Sequence, residues 1–365
     1  MTTVFRPTVA EVDLEAIRHN VRVLKPPAAE LMAVVKADGY GHGDVPVAQA
    51  ALDAGATWLG VALVEEGLRL REAGIDAPVL VLSEFLPGSE RDAGAAGLTS
   101  TCYTEDGLHA LAETGWTGGV HVKVDTGMHR VGLPPDRARA FCAAVRDAGL
   151  RLEGVWTHFA RSEELDDPTT GEQLKRYEEV LAGLEAAGHR PRYRHAANSG
   201  AAMARPETHL DLVRVGIAMY GIPPGPQLEG LVDLRPAMTL RSRVTMVKRL
   251  PAGEGISYGH RYRLERESTI ATVPIGYADG YMRALSNEGQ VLVDGRRRPV
   301  AGTVTMDQLM VDCGDAPVRP GDEVVLFGAQ GHDRIRADEV AVWAGTIGYE
   351  IVTSVSARVP REHRG

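Results

Sequence analysis

The chain has 365 residues, 44% hydrophobic and 24% charged, with 41 Gly and 21 Pro, a composition that supports a large folded core with many turns and excludes a disordered chain. Its 40 Lys and Arg stand against 49 Asp and Glu, a net charge of −9, so nothing draws it to a polyanion and nucleic acid is excluded as a partner. Cys102, Cys142 and Cys313 are odd in number and widely spaced, which excludes a disulfide framework and a zinc site and fits a reducing cytoplasm, while neither a secretion signal in "MTTVFRPTVAEVDL" nor an apolar run of roughly 18 residues points to a membrane.

From about residue 8 to residue 221, short apolar runs alternate with amphipathic Ala-, Glu- and Arg-rich segments. Strands are expected at 30–36, 57–63, 78–84, 98–103, 120–125, 152–159, 192–198 and 212–221. Helices are expected between them, as at 44–55, 135–149 and 170–188, each closed by a glycine where a C-cap belongs. Eight alternations over this length predict a (β/α)8 TIM-like barrel in the α/β class over residues 1–233, with an open doubly wound sheet as the alternative that the pattern leaves. Beyond residue 234 the period changes to short strand-like runs between turn-rich segments, predicting a mostly β domain over 234–365. Arg296, Arg297 and Arg298 follow the hairpin signal Asp294-Gly295 and read as a solvated loop.

Barrels of this kind carry their functional groups at the carboxyl ends of the strands. Those positions hold Lys36, Arg130 after "VKVDTGM", His158 in "WTHFA", Asn198 and Ser199 after "RHAA", and Arg214 with Gly216 in "LVRVGIAMYG". Taken singly, each is ordinary: a strand-end lysine snorkels to the surface and a strand histidine usually belongs to the core. Together they offer two cations, one base and glycine-flanked loops suited to an anionic cofactor. The signatures of nucleotide hydrolysis, zinc proteolysis and acyl transfer do not occur. A lysine among phosphate-binding groups suggests a Schiff base to pyridoxal phosphate.

The stretch "AVVKADGYGHG" (33–43) resembles the cofactor-binding signature of the alanine racemase family. Further family-like segments follow in order: "VKVDTGMHRVG", "HFA", "HAANSGA", "VRVGIAMYG", "ISYGHRY", "VPIGYADGY", "VAGTVTMDQLMVD" and "TIGYEIVTSVSARVPR". The resemblance implies that Lys36 carries pyridoxal 5'-phosphate, with its phosphate held by Tyr40, Ser199, the backbone of Gly216 and Ile217, and Tyr349. It implies that Arg214 faces the pyridine nitrogen, that Arg130 and the Met306 N–H hold the substrate carboxylate, and that Tyr277, Tyr349 and Asp307 border the entrance. Gly39, Gly41 and Gly43 would shape the turn that aims Tyr40 and starts a helix at Asp44.

The implied activity is interconversion of L-alanine and D-alanine, supplying D-alanine for peptidoglycan, in a cytoplasmic homodimer whose active sites are shared between subunits. Lys36 would serve the D-enantiomer, and Tyr258, entering from the partner subunit's β domain, the L-enantiomer. His158, linked to Arg214, would sit beside Tyr258 and favour its phenolate. Lys123, close to Arg130, would be a carbamate, as the equivalent lysine is in several relatives, an anion able to position that arginine. Racemases of broader or serine specificity, a barrel-type decarboxylase using Cys313, and a non-catalytic cofactor carrier are the alternatives.

Overall fold

In the computed structural model, residues 6 to 365 are described, and the chain divides into two compact units. One comprises Ala16–Gly39 and Asp44–Arg235; the other comprises the described residues up to Glu15, Tyr40–Gly43 and Pro236–Gly365.

The first unit is a parallel barrel. Glu30–Val34, Trp58–Val61, Val79–Val81 and Leu212–Val215 form one four-stranded parallel arc, and Ser100–Cys102, Gly119–Lys123, Arg151–Trp156 and Tyr193–His195 form another. The arcs meet through the parallel bridge between Leu80 and Thr99 and, on the other side, through N–H donation from Asp211 to Arg194 and from Arg214 to Ala197. All eight expected strands are present, because a parallel strand buried on both faces shows as a continuous apolar run. Helices between them close as expected, with Gly55, Gly149 and Gly188 at positive φ. Met32, Trp58, Leu80, Tyr193 and Leu212, one from each of five strands, pack into an inner layer.

The second unit is mostly β. Its largest sheet runs Arg296–Pro299, Gln290–Val293, Glu323–Gln330, Met238–Arg243, Val9–Asp13, Arg361–Arg364, and a smaller sheet joins Met246–Leu250, Ser268–Val273 and Leu309–Asp312. The N-terminal strand Val9–Asp13 pairs antiparallel with Met238–Arg243 and parallel with Arg361–Arg364. The partition therefore differs from a single cut at residue 233: the described residues up to Glu15, and Tyr40–Gly43, group with the β unit. Pairing between the two ends of a chain leaves no local sequence mark. The basic run is also not a loop. Arg296–Pro299 is a hairpin strand against Gln290–Val293, turning at Asp294 and Gly295 (φ 53° and 65°), and Arg297 is bound by Asp333 and Glu339.

Gly41, at φ +80°, is needed twice over, since a Cβ there would meet the Val352 carbonyl oxygen at 2.4 Å. Gly149, at φ +75°, has open space around it. We predict that Gly149→Ala costs about 1 kcal/mol and Gly41→Ala at least about 2 kcal/mol more. Denaturant midpoints of the two variants give the comparison, and equal losses would contradict the steric part.

Candidate active site

Lys36 follows the strand Glu30–Val34, and the chain beyond it coils left-handed: Ala37, Asp38 and Gly39 have φ of 53°, 53° and 59°, and Tyr40 has φ 52°. Only glycine adopts this region freely; each other residue costs roughly 1 kcal/mol or more there. The turn is held by Gly39 N–H donating to the Val35 carbonyl at 2.9 Å. It is also held by the buried carboxylate of Glu66, which accepts from the N–H of Ala37 at 2.6 Å and from those of Ala62 and Leu63 at 2.8 and 3.1 Å. The glycines thus share the turn with three non-glycine residues and one distant acid. Sequence reasoning missed Glu66; its only signal is the pair Glu65-Glu66 just past a strand end.

Burial makes the Lys36 amine less basic than an ordinary lysine, Arg130 adds to that effect, and Glu66 opposes it. Lys123 ends the strand Gly119–Lys123 with its Nζ 4.4 Å from the Trp156 ring centroid. Burial, then Arg130, Arg214 and Lys36, push its pKa down to about 7 against the pull of Asp125. Asp125 Oδ1 accepts from the N–H groups of Gly127, Met128 and His129 at 3.0, 2.9 and 3.1 Å. Those bonds shape the loop that carries the exposed Arg130.

Arg214, on Leu212–Val215, is 3% exposed. It donates to the carbonyls of Thr157 and Ala196 at 2.8 and 2.9 Å, to His195 Nδ1 at 3.1 Å and to His158 Nδ1 at 3.2 Å. None of these partners is a carboxylate. Burial brings its pKa to about 9, which leaves it protonated at neutral pH. Asp211, on the same edge, is taken by Arg194 at 2.7 Å.

His158 is driven well below its ordinary range by burial first and then by Arg214, Lys123, Arg130 and Lys36. The expected Arg214–His158 link is present, and the lowered pKa favours a neutral imidazole with its proton on Nε2. Ser199 Oγ accepts from the Gly216 N–H at 2.9 Å, which joins the ends of two strands and leaves the hydroxyl proton to donate. Ile217 opens the short turn Ile217–Tyr220 that follows.

The remaining expected residues lie in the β unit. The rings of Tyr40 and Tyr349 stand 6.2 Å apart. Tyr258 is 76% exposed on a turn whose Ser257 donates to the Thr303 carbonyl, while Thr303 Oγ1 donates to the Tyr258 carbonyl. The N–H groups of Tyr277 and Ala278 donate to the carbonyls of Thr305 and Met306, and Arg358 fixes Asp307 at 2.8 Å. One ledge therefore carries Tyr258, Tyr277, Met306 and Asp307.

A parallel barrel with a lysine of lowered basicity just past one strand and a buried arginine on the neighbouring strand is an arrangement that suits a lysine-dependent cofactor enzyme. Residues 12–224 match the alanine racemase N-terminal domain, and residues 237–363 match the alanine racemase C-terminal domain. The alanine racemase of Symbiobacterium thermophilum is 53% identical over 99% of this chain and 98% of its own, and that of Desulfovibrio desulfuricans is 47% identical over 99% of each. The crystal structure of alanine racemase from E. faecalis superposes with a TM-score of 0.94 at 40% identity, covering 100% of both chains. The chain belongs to the alanine racemase family. It is an isomerase, an amino-acid racemase, and its cofactor is pyridoxal 5'-phosphate.

The residues present fit that cofactor. Lys36, Lys123, Arg130 and Arg214 form a cationic group suited to an anion, Lys36 offers a primary amine of lowered basicity, and Arg214 is a buried donor whose partners are all neutral. We predict that Arg130→Met raises the pKa of the Lys36 amine and that Glu66→Gln lowers it. The pH dependence with which the apoprotein traps an aromatic aldehyde reads both, and shifts of the same sign would contradict the charge assignment.

Proposed function

We propose that the protein interconverts L-alanine and D-alanine through two bases on opposite faces of the substrate's Cα, Lys36 and Tyr258 of the partner subunit. The observation that carries this reading is Arg214, a cation buried at the barrel's strand ends with only neutral partners. Bound at Lys36, pyridoxal phosphate supplies the electron sink that acidifies the Cα–H bond.

Arg214 would donate to the ring nitrogen without giving up its proton, so the nitrogen stays neutral and the sink is moderate. That limits charge spreading into the ring and favours return of a proton to Cα over transamination. Tyr40, Ser199, Gly216, Ile217 and Tyr349 would hold the phosphate, and Arg130 with the Met306 N–H the substrate carboxylate. Lys36 Nζ takes the Cα proton of D-alanine. Tyr258 Oη takes that of L-alanine, with the N–H of neutral His158 donating to the phenolate. Tyr277, Tyr349 and Asp307 narrow the entrance to a small side chain.

Lys123 is half-neutral near pH 7, and a neutral amine is the form that attacks carbon dioxide. Nζ would bond to the carbon and release a proton to solvent, replacing one of two neighbouring cations with an anion beside Arg130. Enzyme equilibrated with 13C-bicarbonate should show a carbamate carbonyl resonance that Lys123→Ala abolishes. A spectrum without that resonance overturns this role.

The dimer follows from the two-chain site, and the three buried free cysteines support a place in the reducing cytoplasm, where D-alanine supplies peptidoglycan synthesis. Cys313 is buried with its thiol pushed up to about 11, which suits packing and not the reactive cysteine of a decarboxylase.

In deuterium oxide, Tyr258→Phe should slow α-deuteration of L-alanine at least about 100-fold while D-alanine is affected far less. Equal losses would refute the assignment of faces. Mixing inactive Lys36→Ala and Tyr258→Phe chains should restore about a quarter of wild-type activity, because half the dimers are hybrids with one intact site of two. No recovery in hybrids isolated from the mixture would place both bases on one chain.

A further inference from the structure

Behind Arg214 the barrel interior holds a line of polar side chains that the reaction leaves unused. A guanidinium only donates, so His195 Nδ1, 3.1 Å from Arg214 Nη1, carries no proton. Burial holds His195 and His121 neutral, so the His195 proton sits on Nε2, 2.9 Å from His121 Nδ1. His195 therefore donates to His121, whose own proton falls on Nε2. That atom faces Glu153 Oε2 at 3.7 Å, longer than a hydrogen bond, and neither atom has a hydrogen-bond partner. The last link is a dipole facing a charge.

The strands are adapted to this line at three places. A Cβ on Gly154 would lie 2.4 Å from His121 Nδ1, and one on Gly119 would lie 1.7 Å from Glu153 Oε2. Neither glycine has a positive φ, so space, not backbone conformation, requires them. The pairing of Gly119–Lys123 with Arg151–Trp156 also slips: Val120 lies opposite Leu152 but His121 opposite Gly154, which makes Glu153 the extra residue of a bulge. Bulges re-aim side chains. The ring planes are packed as well, with Trp156 stacked on His195 at 5.6 Å and 8°, and Tyr193 stacked on His121 at 6.0 Å. Burial works against ionisation of Glu153, but His121 and then Arg151, which donates to Oε1 at 2.6 Å, hold its carboxyl below the usual carboxylate value.

We propose that Glu153, acting through His121 and His195, is a positioning residue for Arg214. The dipoles of the two imidazoles align from guanidinium to carboxylate, and in a low dielectric such aligned bonds reinforce one another. The device anchors the guanidinium while keeping the anion two imidazoles away from it. An adjacent carboxylate would instead stabilise a protonated ring nitrogen. The inference rests on the reading that Arg214 faces that nitrogen.

The test uses the holoenzyme. In 15N spectra of the histidine rings, His121 and His195 are both expected as the neutral Nε2–H tautomer, and an Nδ1–H tautomer at either overturns the proposal without any variant. Glu153→Gln should lower kcat about 10-fold with KM within about 2-fold, the size usual when an outer partner that orients a histidine is lost. It should also shift the visible absorption band of the bound cofactor. Gly119→Ala, which keeps the charge but fills its place, should do the same, so the result survives if one variant fails to fold. Wild-type kcat and absorption in the folded variant overturn the proposal. Arg214→Lys is the control: an unchanged absorption band there removes the underlying reading of Arg214, whereas a shift there with none in Glu153→Gln removes only the relay.

Discussion

Much of this barrel is arranged around one unfavourable fact, a guanidinium buried at the strand ends with no adjacent carboxylate. An unpaired buried cation costs several kcal/mol, and the structure offsets that cost with many small terms. The strands Arg151–Trp156 and Tyr193–His195 stop just before Thr157 and Ala196, which frees those carbonyls to accept from Arg214. Two imidazoles accept from it, and the Trp156 ring lies 4.6 Å from its guanidinium carbon. The same charge has a reach of its own. It adds to burial, the larger cause, in holding His158 and His195 neutral, and to burial and Arg130 in lowering the pKa of Lys123.

Legibility in the sequence tracks how local each feature is. The eight strands were readable because a strand covered on both faces is written as a continuous apolar run. Lys36, His158 and Arg214 stood out because each interrupts such a run or follows it directly. Their chemical roles were not readable from those positions alone and came from the resemblance of whole segments. What stayed hidden was non-local. Val9–Asp13 pairs with strands more than 200 residues away, and nothing in "VAEVD" marks it as part of the β unit. The arginines at 296–298 read as a solvated loop; they are solvated, but they lie on an edge strand, where charged residues are common. Glu153 was masked by the bulge, since counting alternate residues along a regular strand puts it out of phase with its neighbours.

The turn after Lys36 shows how local strain is held. Left-handed backbone at Ala37, Asp38 and Tyr40 is unfavourable by itself, least so at Asp38, whose carboxylate accepts from the Asp44 N–H at 3.2 Å. Glu66 joins the backbone at Ala37 to that at Ala62 and Leu63, just past the ends of two neighbouring barrel strands. An acid so placed does two things at once. It satisfies three backbone donors, and as a charge it partly restores the basicity that burial takes from Lys36.

That balance bears on when Lys36 can act. Arg130 lowers the basicity of Lys36 and Lys123 alike, and it has no acidic partner among the described residues. With the substrate carboxylate seated on Arg130, as proposed, much of that positive field is cancelled, because an anion against a cation leaves only a dipole for groups several ångströms away. The pKa of Lys36 then rises. The lysine would be a weaker proton acceptor while the site is empty, which suits a nucleophile that must be neutral to bond to its cofactor. It would be a stronger acceptor once an amino acid is present, which suits a base. On that proposal a single arginine, free in one state and neutralised in the other, would let one amine serve two chemical roles.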